Sequence, residues 1–187
     1  PQGTLYGKNT IGGAINLVGR SPGGVLAGDA ELSYGSDNFF RFRGAVDVPV
    51  ADGAVRTRTF LSYTRQDGYV DNLATGQSLA DTNAVAGRFV AESDIGSAGA
   101  LRFSADIERL DDDGNQPWAP VELAEEREAE LDFPGSRKLT RGGGSARYDH
   151  DFGGYTLTSI TGYRAYDFDL ILDGDFTAGP YDPNTGF

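Results

Sequence analysis

Three features of the sequence predict an all-β fold and, more narrowly, the wall of a membrane β-barrel. The first is composition. Gly accounts for 27 of 187 residues, about double the roughly 7% average, and Tyr and Phe supply all but one of the aromatics. The second is a period-2 alternation of apolar and charged residues over several stretches. The third is an asymmetry between the connections, which are short at one end of the strands and mostly long at the other.

The stretches follow in order. Ala30, Leu32 and Tyr34 alternate with Asp29, Glu31 and Ser33. Phe40, Phe42, Gly44, Val46 and Val48 form one parity, and Arg41, Arg43, Ala45 and Asp47 the other. After a turn at 49–54 (PVADGA), Val55, Thr57, Thr59, Leu61 and Tyr63 oppose Arg56, Arg58, Phe60, Ser62 and Thr64, so that Asp47 is expected beside Arg56 as a cross-strand charge pair. Val85, Gly87, Phe89 and Ala91 oppose Ala84, Arg88 and Glu92; the turn 93–99 leads into Leu101, Phe103, Ala105 and Ile107 against Arg102, Ser104, Asp106 and Glu108. Residues 141–149 and 155–170 make a last pair around 150–154, with the facing of the final strand ambiguous between Tyr163 and Tyr166.

Seven strands are thus expected. The tight turns (49–54, 93–99, 150–154) alternate with connections at 67–83, 110–139 and 173 onward, and only that at 36–38 is short. Outer-membrane barrels are built this way, with brief periplasmic turns and longer extracellular loops. No run of about 18 apolar residues is present, so a transmembrane helix is not expected, whereas a barrel strand needs only about 9–11 alternating residues. The chain lacks Met, at position 1 included, and bacterial single-chain barrels use even strand numbers. A piece of a longer protein continuing past Phe187 is therefore expected.

Charge and chemistry narrow the function. With 16 basic and 28 acidic residues the net charge is −12, which argues against a nucleic-acid partner. The absence of Cys removes disulfides, thiolate metal sites and sulfur chemistry. The single His150, between Asp149 and Asp151, has Ser145 nearby, but GGGSARY lacks the final glycine of a nucleophile elbow, and no catalytic residue is assigned. Asp111, Asp113, Asn115 and Glu122 fall at positions 1, 3, 5 and 12 of a calcium-loop pattern that has Gln116 where Gly is needed; this weak match competes with a solvated acidic loop. Residues 110–138 carry half of the net charge, include a helix candidate at 120–131, and hold the only Trp, Trp118, available for ligand contact or packing. The charged parities collect Arg41, Arg43, Arg56, Arg58, Arg88, Arg102 and Arg147 on the lumen side. These either pair with carboxylates such as Asp47, Asp106 and Glu108 or guide an anionic substrate. Phe39, Phe40, Tyr63, Phe103, Tyr155, Tyr163 and Phe168 are candidates for interfacial girdles.

The opening PQGTLYGKNTIGGAINLVGRSP is rich in glycines that permit close backbone approach and ends in a short apolar run. It resembles the end of the plug domain of TonB-dependent outer-membrane receptors, in which a PQG-x-LYG stretch, a Gly-Gly pair and an Ile-Asn lead through a basic residue and a Pro into the first barrel strand. Residues 67–72 (DGYVDN) and 159–164 (SITGYR) are also similar to this family. By that resemblance Gly3, Leu5, Tyr6, Gly7, Gly12, Gly13, Ile15 and Asn16 belong to the plug, Arg20 and Pro22 to the plug–barrel junction, and 23–187 to the N-terminal part of the barrel, with 1–22 as the plug's end. Gly19-Arg20-Ser21 departs from the threonine and paired lysines often found before that proline.

The resemblance implies a 22-stranded barrel with an internal plug, sited in a bacterial outer membrane among lipid and lipopolysaccharide. It further implies a non-enzymatic importer energised by TonB and its inner-membrane complex, with no cofactor and a scarce ligand such as a ferric siderophore. A plug-free porin or autotransporter and a soluble Gly-rich adhesin or carbohydrate-binding module are the alternative readings.

Overall fold

The computed structural model describes residues 19–114, 121–133, 135–172 and 179. Seven long strands make one antiparallel sheet: β1 (Ala27–Tyr34), β2 (Phe40–Val50), β3 (Val55–Gln66), β6 (Thr82–Ile95), β7 (Gly99–Asp112), β9 (Ser136–Asp151) and β10 (Thr156–Ile171), hydrogen-bonded in that order. The order follows the chain, as in an up-and-down barrel wall. The sheet is open, with β1 and β10 as its edges. Three short strands, β4 (Val70–Asn72), β5 (Ser78–Leu79) and β8 (Glu128–Ala129), make a second sheet in the outer loops.

The two faces sort as the parity predicts, because successive side chains on a strand point to opposite sides. On the apolar face, Val46, Thr59, Phe89, Ala105 and Gly144 follow one another across the register. On the other face the corresponding row is Asp47, Arg58, Val90, Ser104, Ser145 and Gly162. Leu32, Leu61, Phe103, Ile107 and Tyr163 all lie on the apolar face and are exposed there, as side chains meeting lipid are. Strand lengths rise from 8 residues in β1 to 16 in β9 and β10. At about 3.3 Å per residue the longest reach roughly 50 Å, more than the ~30 Å hydrocarbon core of a bilayer.

The turns set the register. Val50 pairs with Val55, closing a single 3-10 turn at Ala51–Gly53 in which all three residues take positive φ. That closure brings Asp47 opposite Arg58, two residues from the expected Arg56, without changing parity. At the other end, 35–39 is a tight loop in which the Gly35 N–H donates to Phe39 O.

The girdle expectation is corrected in part. Phe40 and Tyr63 meet on the apolar face with ring centroids 6.2 Å apart, and at the tight-turn end His150, Phe152 and Tyr155 stack in sequence. Phe168, opposite Leu139, has the parity of the charged face, and Phe39 lies beneath the Arg41 guanidinium, 4.9 Å from its ring centroid. The lipid face gains Phe42 instead. Its ring folds over Gly44, where a Cβ would stand 2.9 Å from the ring tip.

The facing of β10 is resolved by a glycine. Asp106 on β7, Gly143 on β9 and Arg164 on β10 occupy one row. Because Gly143 has no side chain, Arg164 crosses β9 and pairs with Asp106 through both guanidinium nitrogens, at 2.7 and 3.1 Å. A Cβ on Gly143 would lie 2.3 Å from the Tyr163 carbonyl oxygen and 2.9 Å from the Arg164 side chain.

The outer loops hold an apolar cluster. Val70, Leu79, Ala129 and Leu131 are buried together where β4 pairs with β5 and, in parallel, with β8. The expected helix at 120–131 is a single α-helix, α1 (Val121–Glu126), ended by Arg127 at positive φ before β8 begins. Asn72 ties the two loops together. Its amide donates to the Leu131 carbonyl at 2.8 Å and accepts the Leu131 N–H at 3.0 Å, with 1% of its surface exposed.

Two stability outcomes follow. Gly143→Ala will lower the unfolding free energy in detergent by about 1–3 kcal/mol, whereas Gly162→Ala, whose Cβ would meet nothing nearer than 3.6 Å, will change it little. Asn72→Ala, which leaves a buried N–H and carbonyl unpaired at roughly 1–3 kcal/mol each, will make the outer loops susceptible to protease while the heat-modifiable gel shift of the wall stays unchanged.

Candidate functional site

The charged face is a ladder of ion pairs. Arg58 reaches Asp47 at 2.7 Å and Asp29 at 3.5 Å; Arg56 pairs with Asp94 at 3.0 Å; Arg102 pairs with Glu92; Arg147 pairs with Asp149 at 2.7 Å; Arg141 pairs with Glu108 at 2.5 Å. Arg102 and Arg147 stand directly opposite each other, a like-charge contact that the two separate carboxylates offset. At the tight-turn end these residues line an open cleft of about 260 Å³ bounded by Arg56, Glu92, Asp94, Arg102, Arg147 and Asp149.

Of the seven arginines expected on this face, Arg56, Arg58, Arg102 and Arg147 are therefore neutralised locally. Arg41, Arg43 and Arg88 have no ion-pair partner among the described residues. Two of the ionic links on this face, Arg56–Asp94 and Arg164–Asp106, are not given by the alternation of residues. Asp94 follows Glu92 at the same parity but fell inside the assumed turn, and Arg164 was hidden by the ambiguous facing of its strand.

The described residues before β1 lie against this same face. Ser21 accepts a hydrogen bond from Arg102 Nη1 at 3.0 Å, a Cβ on Gly19 would stand 3.4 Å from the Arg88 guanidinium, and Gly23 abuts the Asp47 carboxylate. Pro22 is buried and Arg20 exposed. Gly19 and Arg20 also line a cleft of about 190 Å³ with Arg58, Phe60, Arg88 and Val90. The charged face is thus the one that receives the incoming chain, and the apolar face is left outside. Gly3, Leu5, Tyr6, Gly7, Gly12, Gly13, Ile15 and Asn16 lie outside the described residues, as do Trp118 and Asn115.

The remaining candidates are dispersed. Ser145 shares a hydrogen bond with Ser104 at 2.9 Å on the charged face, whereas His150 is on the other face with the Tyr148 hydroxyl 2.9 Å from its Nδ1. An odd separation puts them on opposite sides of the sheet, so Ser145 and His150 are not brought together. Asp111, at the end of β7, lies 3.8 Å from Arg109, and the Asp113 carboxylate accepts the Ala80 N–H across the loops. Asp112 pairs with Arg137 instead. Among the described residues no group of three or more His, Asp or Glu side chains is arranged to hold a metal ion.

Where the first two outer loops meet, Asn38 donates to Asp67 at 2.7 Å and the Asp67 N–H donates to the Asp37 carbonyl at 2.9 Å. That hydrogen bond from Asn38, with the nearby Arg65, holds the Asp67 carboxyl below its ordinary range. The loop clasp is therefore ionised at neutral pH.

No protein-family model matches the chain. Curated relatives do: the pesticin receptors of Yersinia enterocolitica and Yersinia pestis are each 30% identical over 141 residues, covering 75% of this chain. The chain spans only 17% of their length. Among solved structures, the ferric yersiniabactin uptake receptor FyuA from Yersinia pestis superposes with a TM-score of 0.80 at 21% identity, over 91% of this chain and 28% of that one. Sequence, strand order and the placement of the incoming segment on the charged face agree, and the chain belongs to the TonB-dependent outer-membrane receptors.

Proposed function

We propose that this chain is part of a receptor in a bacterial outer membrane that imports a scarce ligand, a ferric siderophore, with energy delivered by TonB and its inner-membrane complex. The observation that carries the reading is the passage of residues 19–23 across the charged face of the sheet. A segment laid on the lumen wall immediately ahead of the first strand is what a plug running into its barrel requires. In this reading residues 1–22, with the motif at Gly3 to Asn16 and the junction at Arg20 and Pro22, are the end of a plug, and 23–187 are the N-terminal part of a barrel.

The ligand class is supported by what the relatives are called: receptors for pesticin, and one for uptake of ferric yersiniabactin. All are receptors, in keeping with a non-enzymatic role. Arg41, Arg43 and Arg88, left without a carboxylate partner among the described residues, would guide an anionic complex along the wall, and Trp118 in the third outer loop would contact it. The acidic loop at 110–138 would lie near lipopolysaccharide and share its divalent cations.

Two experiments test this. The full-length receptor, expressed in a host lacking its own siderophore receptors, will take up ⁵⁵Fe-yersiniabactin only when TonB is present; uptake independent of TonB would sink the reading. In the same assay Arg41→Gln combined with Arg43→Gln will lower uptake several-fold at low ionic strength and less at high salt, where screening shortens the reach of such charges, whereas Arg147→Gln will not.

A further inference from the structure

Residues 19–23 touch three strands. Ser21 is held by Arg102 on β7, Gly19 by the Arg88 guanidinium on β6, and Gly23 by Asp47 on β2, which is itself locked to Arg58 on β3 at 2.7 Å. Between these points Pro22 is buried. Asp47 is 2% exposed and the Arg58 side chain 14%, so this ion pair is the most enclosed in the wall among those described. The contacts are of different kinds: a hydrogen bond, a guanidinium beside a glycine, and a carboxylate against Gly23. The three strands that make them, with β3 between β2 and β6, are joined to one another by main-chain hydrogen bonds.

A load applied to the chain ahead of Gly19 therefore meets a seat anchored in a rigid sheet. To detach residues 19–23, Ser21 must leave Arg102, Pro22 must be uncovered, and Asp47 must lose the chain that covers it. These changes occur together, because the five residues lie on one continuous stretch of backbone.

We propose that residues 19–23 are a fixed seat, held by Asp47, Arg58, Arg88 and Arg102, at which any displacement transmitted from the N-terminal side stops during transport. The proposal rests on the importer reading for its biological meaning. Its mechanical content does not depend on that reading.

Single-molecule pulling tests the mechanical part without ligand or TonB. The full-length receptor in a lipid bilayer is pulled from its N-terminus, and the chain released before the wall unfolds is measured. We expect the release to end ahead of Gly19. In an Arg102→Ala, Asp47→Ala double variant it will lengthen by the eight residues 19–26, roughly 25–30 Å at about 3.5 Å each. Release of those residues in the wild type at the same force as the chain ahead of them would overturn the seat.

A second measurement places the seat in transport. With Ser21→Cys and Arg102→Cys joined by a short reducible bis-thiosulfonate linker, ⁵⁵Fe-yersiniabactin uptake will stay within two-fold of the reduced protein. A ten-fold loss on cross-linking, restored by reductant, would show that the seat must open. TonB-independent uptake by the reduced variant would instead count against the importer reading, leaving the pulling result to decide the seat by itself.

Discussion

Everything in this structure depends on the antiparallel main-chain ladder. In hydrocarbon there is no water to satisfy a backbone N–H or carbonyl, so a spanning sheet has to pair them strand to strand. That pairing imposes a two-residue period on the side chains, and the period sends Phe42, Leu61, Phe103 and Ile107 to one side and Arg43, Arg58, Arg102 and Asp106 to the other. No conventional interior is needed. The buried apolar cluster among the described residues is not in the wall at all but in the outer loops, at Val70, Leu79, Ala129 and Leu131.

The charged face is accordingly organised by neutralisation more than by packing. Most of its ion pairs are partly exposed, and such pairs contribute little each to stability. Their effect is on the surface they create. Arg56, Arg102, Arg141, Arg147 and Arg164 are each matched to a carboxylate, which leaves a wet wall of low net charge. Against that background Arg41 and Arg43 toward the loop end, and Arg88 in mid-strand, have no carboxylate partner among the described residues. The enclosed Asp47–Arg58 pair is different in kind, since Gly23 abuts its carboxylate where the chain enters the wall.

Much of this was legible because period-2 patterning survives any detail of turn geometry. The strands around Phe40, Val55, Leu101 and Arg141 could be placed with their faces, and the tight turns could be separated from the longer loops. What escaped was whatever depends on register. Arg56 and Arg58 share a parity, so only the closure of the turn at Val50 and Val55 decides which of them meets Asp47. The two-residue strands β5 and β8 are too short to carry a period, and they exist because separate loops supply each other's partners. The girdle assignment of Phe168 failed for the same reason that Arg164 was missed: the facing of β10 is set by what lies across β9.

The sequence by itself determined the class of fold, the membrane-facing parity, the family resemblance carried by its first twenty-two residues, and the separation of acidic loops from a basic-lined wall. These are properties of composition and local spacing, which the chain carries before it folds. Only the tertiary structure decided which charges meet: Asp106 with Arg164 over Gly143, Arg56 with Asp94, and Ser21 with Arg102. Those contacts join residues 38 to 81 positions apart, and their partners are chosen by turn closure and strand register, neither of which the alternation of residues encodes.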